Sequence, residues 1–469
     1  MSYTSAADRG ERRIVGVLAA CGMLSSLQFT LVVPILPEAS RLLGVSAGDA
    51  AWLVTITLLV GTVGTPVLSR LADMYGRRRM LLVAMTLLVA GSVLAAAVPT
   101  FTAILVGRAL QGFAVAVVPI GISLLSALVK RRRAEMGMAL ISGTLGVGSA
   151  VGLALAGSLV TWGGLPAIFW LSAAAGSVFT ALVVLFVREA PARDPGRFDL
   201  IGAVLLSLGL VALMLVLSRA AAWGPATGTT IGTLAVAASA LTGWLLWERR
   251  HPSPVIDVRT SLRSPVLQIN VASFVATFGM YANHLLTAQE ALAPTSTGYG
   301  LGLPLTTAGF LLAASAVSMI LLSPVAGRML SRFGGRITLA VGAAVMTAAF
   351  VFRLLFHGSV PLVAVGAALV GSGVALAFAA MPALIMASVP AHQTAGANGV
   401  NSLARSLSGA VAGAAFALVI MAAPAGPESA YLSASALSWC FAAVAVCAAV
   451  TCLLALGLAK TGITRPPSA

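Results

Sequence analysis

Thirteen acidic residues and four histidines are the side chains of this 469-residue chain best suited to exchanging a proton near neutral pH. Twelve of the acids fall in polar turns or at the ends of apolar segments: Asp8, Glu11, Glu38, Asp49, Asp73, Glu135, Glu189, Asp194, Asp199, Glu248, Asp257 and Glu428. Glu290 alone falls inside an apolar segment, near its end. Burial raises a carboxyl group's affinity for protons, so Glu290 could alternate between neutral and ionised forms as a proton carrier or cation site. The competing reading is a hydrated carboxylate at a membrane surface. Asn283, His284 and Gln289 lie close by, and positions 283 and 290 share one helix face. His284 could titrate at about pH 6.5, although a lone histidine serves equally as a satisfied polar residue.

Arg108 is a charge in an otherwise apolar stretch. At a helix centre it costs about 2.5–3.5 kcal/mol to insert, so its guanidinium is expected to face a cavity or a polar partner such as Gln28. Structural pairing with such a partner would account for it. A third constellation is Ser69-Arg70-Leu71-Ala72-Asp73-Met74-Tyr75-Gly76-Arg77-Arg78-Arg79, a charged hinge between two apolar runs. Cys21, Cys440, Cys447 and Cys452 have no metal-ligand company, so no metal or disulfide framework is expected. No Ser-His-Asp, His-Glu-x-x-His or paired-acid arrangement occurs within the apolar segments, and no nucleotide-binding loop occurs. An enzyme, a bound cofactor and ATP as driver are therefore not expected.

The elements that carry these residues are long and apolar. The chain is 59% hydrophobic and 9% charged, and runs of about 20 residues suffice to cross a hydrocarbon core. Breaking at charged or Pro/Gly-rich turns predicts fourteen spans: 14–36, 51–71, 80–98, 102–128, 137–160, 166–187, 200–218, 229–247, 266–290, 305–327, 337–356, 361–388, 398–421 and 431–459. Sustained period-two alternation is missing, which argues against a barrel. Leu18-Ala19-Ala20-Cys21 imitates a lipoprotein cleavage site, but the apolar run continues to Leu36, so an uncleaved first span is expected. Residues 1–13 and 460–469 form the expected tails. Residues 14–187 and 266–459 form two six-span blocks, and 188–265 forms a linker with two extra helices.

The formal charge of +15 is a topology signal. On this span pattern 23 of the 28 Lys and Arg fall on one side, which puts both termini in the cytosol. Arg41, Arg219 and Arg353 fall on the other side, and Arg108 and Arg405 lie within helices. That distribution requires a lipid bilayer as partner and no nucleic acid. The blocks also echo each other: Ser69-x-x-x-Asp73-x-x-Gly76-Arg77-Arg78 has the spacing of Gly327-x-x-x-Ser331-x-x-Gly334-Gly335-Arg336. Repeated halves of this kind build many secondary transporters.

With these features the chain resembles the major facilitator superfamily, and more narrowly its fourteen-span drug:proton antiporter branch, from about residue 14 to 459. The resemblance is carried by the hinge, by Leu36-Pro37-Glu38 and Trp52-Leu53-Val54-Thr55, and by Arg108-Ala109-Leu110-Gln111-Gly112. Phe198-Asp199-Leu200-Ile201-Gly202, Glu248-Arg249-Arg250, Gln289 and the run Asn398 to Arg405 with Gly409 add to it. It implies an all-α fold of two six-helix bundles plus two central helices, and a plasma-membrane exporter of small hydrophobic or amphipathic compounds driven by protons. It also implies that Asp73, Gly76, Arg77 and Arg78 form a cytosolic latch, with Asp73 near the positive N-terminus of span thirteen around Asn398. Arg77 to Arg79 could instead serve orientation alone. Arg108 would take part in proton coupling, and Arg405 would contact a lipid headgroup or the latch.

The sequence departs from the branch at informative points. Gln28 stands where the branch carries an aspartate two residues before a threonine, here Thr30. Thr57 replaces a tyrosine, Gly148-Ser149 replaces a Gly-Pro kink, and Leu165-Pro166-Ala167 replaces a Trp-Arg-Trp run. The alternative reading is therefore a proton-independent facilitator or importer of a small organic solute. Gln28, Thr30, Gln111, Gln268, Asn270 and Asn283 are the expected lining of a substrate cavity between the blocks. Few acids there argue against dications, which need carboxylate partners.

Overall fold

An apolar segment in lipid must satisfy its own backbone, and a helix does so within one segment. The computed structural model follows that rule. It describes residues 2–32, 42–45, 47–50, 52–190, 197–224, 226–252, 254–356, 358–390, 393–426 and 431–458. Among these no strand occurs, only an isolated bridge between Pro424 and Leu432. Among the described residues ten helices are long and apolar enough to cross a membrane. The chain is a multi-pass membrane protein.

The long helices in chain order are α1 (Ser2–Thr30), α2 (Trp52–Tyr75), α3 (Arg77–Ala97), α4 (Phe101–Gly112), α5 (Val117–Leu128), α6 (Arg131–Phe186), α7 (Leu200–Trp223), α8 (Gly228–Glu248), α9 (Val266–Leu292), α10 (Leu305–Leu355), α11 (Val360–Ser388), α12 (Thr394–Ala422) and α13 (Ala434–Gly457). A 3-10 turn over Phe113–Ala116 joins α4 to α5. Pro119 lacks the N–H that a regular turn would use there. Helix α6 breaks at Gly163 and Gly164, and α10 at Gly334, so each is two spans laid end to end. Every apolar segment predicted from the sequence thus finds its helix.

Boundaries differ where charge misleads. Residues 9–13, expected in a polar tail, continue α1, and Glu11 pairs with Arg133. The hinge is far shorter than its eleven polar-looking residues suggest, since helix runs to Tyr75 and resumes at Arg77. Gly76 alone breaks it, at φ +116°, and Gly334 breaks α10 at φ +80° in the matching register. Only glycine takes such backbone angles without strain. Leu36-Pro37-Glu38, Arg41, Asp194, Glu428 and the tail from 459 lie outside the described residues.

The chain divides into two compact units. The first comprises Met1–Val211, Ala238–Ser261 and Val389–Leu403; the second comprises Ala212–Ala237, Leu262–Ser388 and Ala404–Ala469. Within the first, α1 and α6 meet backbone to backbone. A Cβ on Gly148 would stand 2.1 Å from the Met23 carbonyl oxygen, and one on Gly152 2.7 Å from that of Leu27. These glycines serve close packing. Cys21 is fully buried in α1 at the place of the lipoprotein-like motif.

Candidate functional site

Three clusters gather the polar residues of the interior. The first surrounds Arg108, which α4 carries into the packed centre of the first unit at 0% exposure. Thr100 caps that helix through the Ala103 N–H. The Arg108 Nε donates to the Leu53 carbonyl at 2.8 Å, and Nη1 donates to the Gln28 carbonyl at 2.9 Å and to Gln111 Oε1 at 2.8 Å. The Gln28 amide in turn donates to the Gln111 carbonyl at 3.1 Å, and the Gln111 amide to Ser92 Oγ at 2.7 Å. Thr57 Oγ1 donates to the Arg108 carbonyl at 3.0 Å. Each of these partners is neutral, and among the described residues no carboxylate bonds this cation. Arg108 meets Gln28 as expected, though through the backbone carbonyl.

The second cluster corrects the sequence reading. Arg353, expected at the outer surface, is 1% exposed inside the second unit and pairs with Glu290, itself 1% exposed. The hydrated-surface alternative for Glu290 therefore fails. The charge near the end of an apolar run reads as a boundary, but α9 offers it a polar face. Asn283, Thr287 and Glu290 follow one another at helical spacing. Arg353 Nη2 donates to Glu290 Oε2, and Nη1 donates to Asn283 Oδ1 and, at 2.9 Å, to Thr287 Oγ1. The guanidinium lies 4.7 Å from the ring centroid of Phe441. Gly366 makes room for the arginine stem, because a Cβ there would stand 2.5 Å from Arg353 Cγ. His284 is half-buried and stays outside these hydrogen bonds.

The turn after α9 closes over this cluster. The Leu301 N–H donates to the Glu290 carbonyl at 2.8 Å, and Gln289 Oε1 accepts the Leu432 N–H at 3.1 Å. The Tyr299 hydroxyl donates to the Leu432 carbonyl at 2.9 Å. Burial, and secondarily the nearby Glu290 carboxylate, push that phenol up to about 12.

The third cluster is the hinge. Asp73, 2% exposed at the end of α2, accepts the Gly396 N–H at 2.6 Å and the Ala395 N–H at 3.3 Å. It thus caps the first turn of α12, where unbonded N–H groups and the helix dipole favour an anion. Asn398, expected as its neighbour, instead donates to its own helix at the Thr394 carbonyl, 2.9 Å away. Arg77 donates to Asp73 at 3.1 Å and to Thr394 Oγ1 at 2.9 Å, and Thr394 Oγ1 and Ser123 Oγ share a hydrogen bond of 2.9 Å. Arg78 reaches the Val184 carbonyl at 2.7 Å. Sequence reasoning missed Glu189, which accepts the Arg78 and Arg79 N–H groups at 2.9 and 3.1 Å and so caps α3.

The remaining expected residues scatter. Thr30 bonds back to the Leu27 carbonyl of its own helix at 3.1 Å. Asn270 is buried, and Gln268 is half-buried with no hydrogen-bond partner at Oε1. Arg405, expected at a headgroup or the latch, belongs to the second unit and stacks 4.0 Å over the Phe378 ring. Cation–π stacking of this kind offsets part of the cost of desolvating the charge. Among the described residues no cluster of His, Cys, Asp and Glu could hold a metal ion.

Helices threaded by buried arginines, with a glycine break repeated in register at Gly76 and Gly334, make up the interior of a helical membrane protein. The Major Facilitator Superfamily model matches residues 18–413 and 269–468, and the chain belongs to that family. It is 28% identical over 395 residues to the multidrug resistance protein Stp of Mycobacterium tuberculosis, covering 82% of this chain and 72% of that protein. It is likewise 28% identical over 414 residues to the tetracenomycin C resistance and export protein of Streptomyces glaucescens, covering 86% and 74%. The crystal structure of the human organic anion transporter MFSD10 (TETRAN) shares the fold, with a TM-score of 0.67 at 16% identity over 95% of this chain and 99% of that one. Proteins of this family move small molecules across membranes.

Proposed function

We propose that this protein exports small hydrophobic or amphipathic compounds across a bacterial plasma membrane by alternating access, in exchange for protons and with both termini in the cytosol. The export part is supported by relatives whose names describe multidrug resistance and antibiotic export. One observation carries the proton part: Glu290 is an acid buried within an apolar helix and paired with Arg353. Protonation would neutralise it and turn the ion pair into a weaker hydrogen bond, which is the kind of change a coupling group must undergo. Asp73 would act as the latch, since its contacts with the start of α12 favour one of two states. The lining candidates remain Gln28, Thr30, Gln111, Gln268, Asn270 and Asn283. Glu290 is already neutralised by Arg353, which disfavours dications and suits neutral or weakly charged substrates.

The test is accumulation of dyes and antibiotics in a host stripped of its own exporters, comparing wild type with Asp73→Asn, with and without a protonophore. Lower accumulation that both treatments abolish is the expected result. Exclusion that persists with the protonophore would overturn proton coupling. One observation favours a second reading, a proton-independent facilitator or importer. Gln28 stands where the branch carries an acid, and the Arg108 cluster holds no described carboxylate. Gradient-driven transport left unchanged by Glu290→Gln would support it.

A further inference from the structure

We infer that Arg405 anchors an acidic group of the transported compound, which makes the preferred substrate an amphipathic monoanion such as an aromatic carboxylate. The inference rests on the export reading and names a substrate class within it. Its ground lies wholly within the second unit, where Arg405 of α12 meets Phe378 of α11 and Tyr281 of α9. Arg405 sits about 16 Å along a helix about 43 Å long, too deep for a lipid headgroup. Tyr281 lies near the middle of α9, its ring seated on Gly409, where a Cβ would stand 2.6 Å from Cε2.

Arg405 is held unlike the two fully buried arginines. Arg108 donates to Leu53, Gln28 and Gln111, and Arg353 to Asn283, Thr287 and Glu290. Arg405 hydrogen-bonds to no described residue, and its Nε is enclosed without a partner. The Phe378 ring covers one face of the guanidinium at 4.0 Å. The residue as a whole is half-buried, so the two terminal nitrogens form its open edge. Tyr281 is half-buried too, and its hydroxyl makes no hydrogen bond to a described residue.

Among the described residues no counter-charge bonds this cation. The only carboxyl on α9 to α13 is Glu290. It lies about 13 Å beyond Tyr281 along α9 and already pairs with Arg353. Stacking on a ring offsets only part of the cost of a desolvated cation. A carboxylate fits what is left. Its two oxygens match the two outer nitrogens of a guanidinium, and its single charge cancels that of Arg405. The Tyr281 hydroxyl can donate a further hydrogen bond to it. A neutral compound leaves the arginine unpaired, and a cationic one is repelled.

The experiment is equilibrium dialysis of 1-pyrenebutyrate, and of its neutral analogue 1-pyrenebutanol, against the whole protein in phosphatidylcholine nanodiscs, with empty nanodiscs as background. The wild type should bind the anion more tightly than the alcohol. Arg405→Gln should weaken binding of the anion about tenfold or more, as loss of a charge-assisted contact, and leave the alcohol unchanged. Tyr281→Phe should weaken the anion alone, by about fivefold. Equal binding of the two probes by the wild type, none of either included, overturns the inference. So does a preference for the anion that survives Arg405→Gln. Should that variant not fold, a preference unchanged in Tyr281→Phe does the same. Cells that exclude no compound, while the purified protein keeps its preference for the anion, would instead remove the export reading, so the two failures are distinguishable.

Discussion

Arg108 and Arg353 are buried alike, at 0% and 1% exposure, and are satisfied in opposite ways. The first unit surrounds its arginine with carbonyls and an amide, and among the described residues no carboxylate bonds it. The second supplies Glu290 as a counter-charge beside two neutral acceptors. A repeated helical framework thus carries an arginine among neutral acceptors in one unit and an arginine–carboxylate pair in the other. Gln28 is central to this difference. An acid at its position would have made the clusters alike.

The comparison breaks most sharply under truncation. Arg353→Met strands a buried carboxylate and should cost about 3–5 kcal/mol. Adding Glu290→Gln should restore much of that loss, measured by thermal unfolding in detergent. Equal stabilities of the single and double variants would mean that the pair carries no coupling.

Arg108→Met leaves only neutral acceptors unpaired, so a smaller loss is expected, about 1–3 kcal/mol. A cost as large as that of Arg353→Met would erase the distinction. The same experiment in a Gln28→Glu background sharpens it, because the first cluster then resembles the second. There Arg108→Met should rise to about 3–5 kcal/mol.

The paired glycine breaks offer a smaller contrast. Both Gly76→Ala and Gly334→Ala strain a backbone angle that favours glycine, at about 1–3 kcal/mol. Gly76→Ala should cost more, since its Cβ would stand 3.0 Å from the Glu189 carboxylate, while that of Gly334 meets nothing within 4 Å. Equal melting temperatures would remove Glu189 from the account. The smallest effect is expected for Glu189→Gln, about 0.3–1 kcal/mol, as loss of a charge at a helix N-terminus.

Much of this architecture was legible because lipid imposes long apolar runs, and interruptions of those runs mark the turns. Arg108 and Gln28 could be matched because each is a polar residue within an apolar stretch, and such residues must find one another. Arg353 was misread for a physical reason. A charge close to the end of an apolar run looks like a boundary whether it leaves the membrane or turns inward. The deciding feature, the Asn283-Thr287-Glu290 face, lies 63 residues from Arg353 at Glu290. Glu189 was illegible for a similar cause, being 111 residues from the Arg78 N–H that it caps. Arg405 looked like a surface charge because nothing local marks Phe378 as its stacking partner.

The most direct test of proton-coupled export through Glu290 uses inverted membrane vesicles energised by respiration. Compounds that cells producing the protein exclude would be added while the pH gradient is monitored by a fluorescent amine. The wild type should dissipate the gradient on addition of compound, and Glu290→Gln, present at equal abundance and folded, should not. Equal dissipation by both proteins, or none by the wild type, would contradict the account.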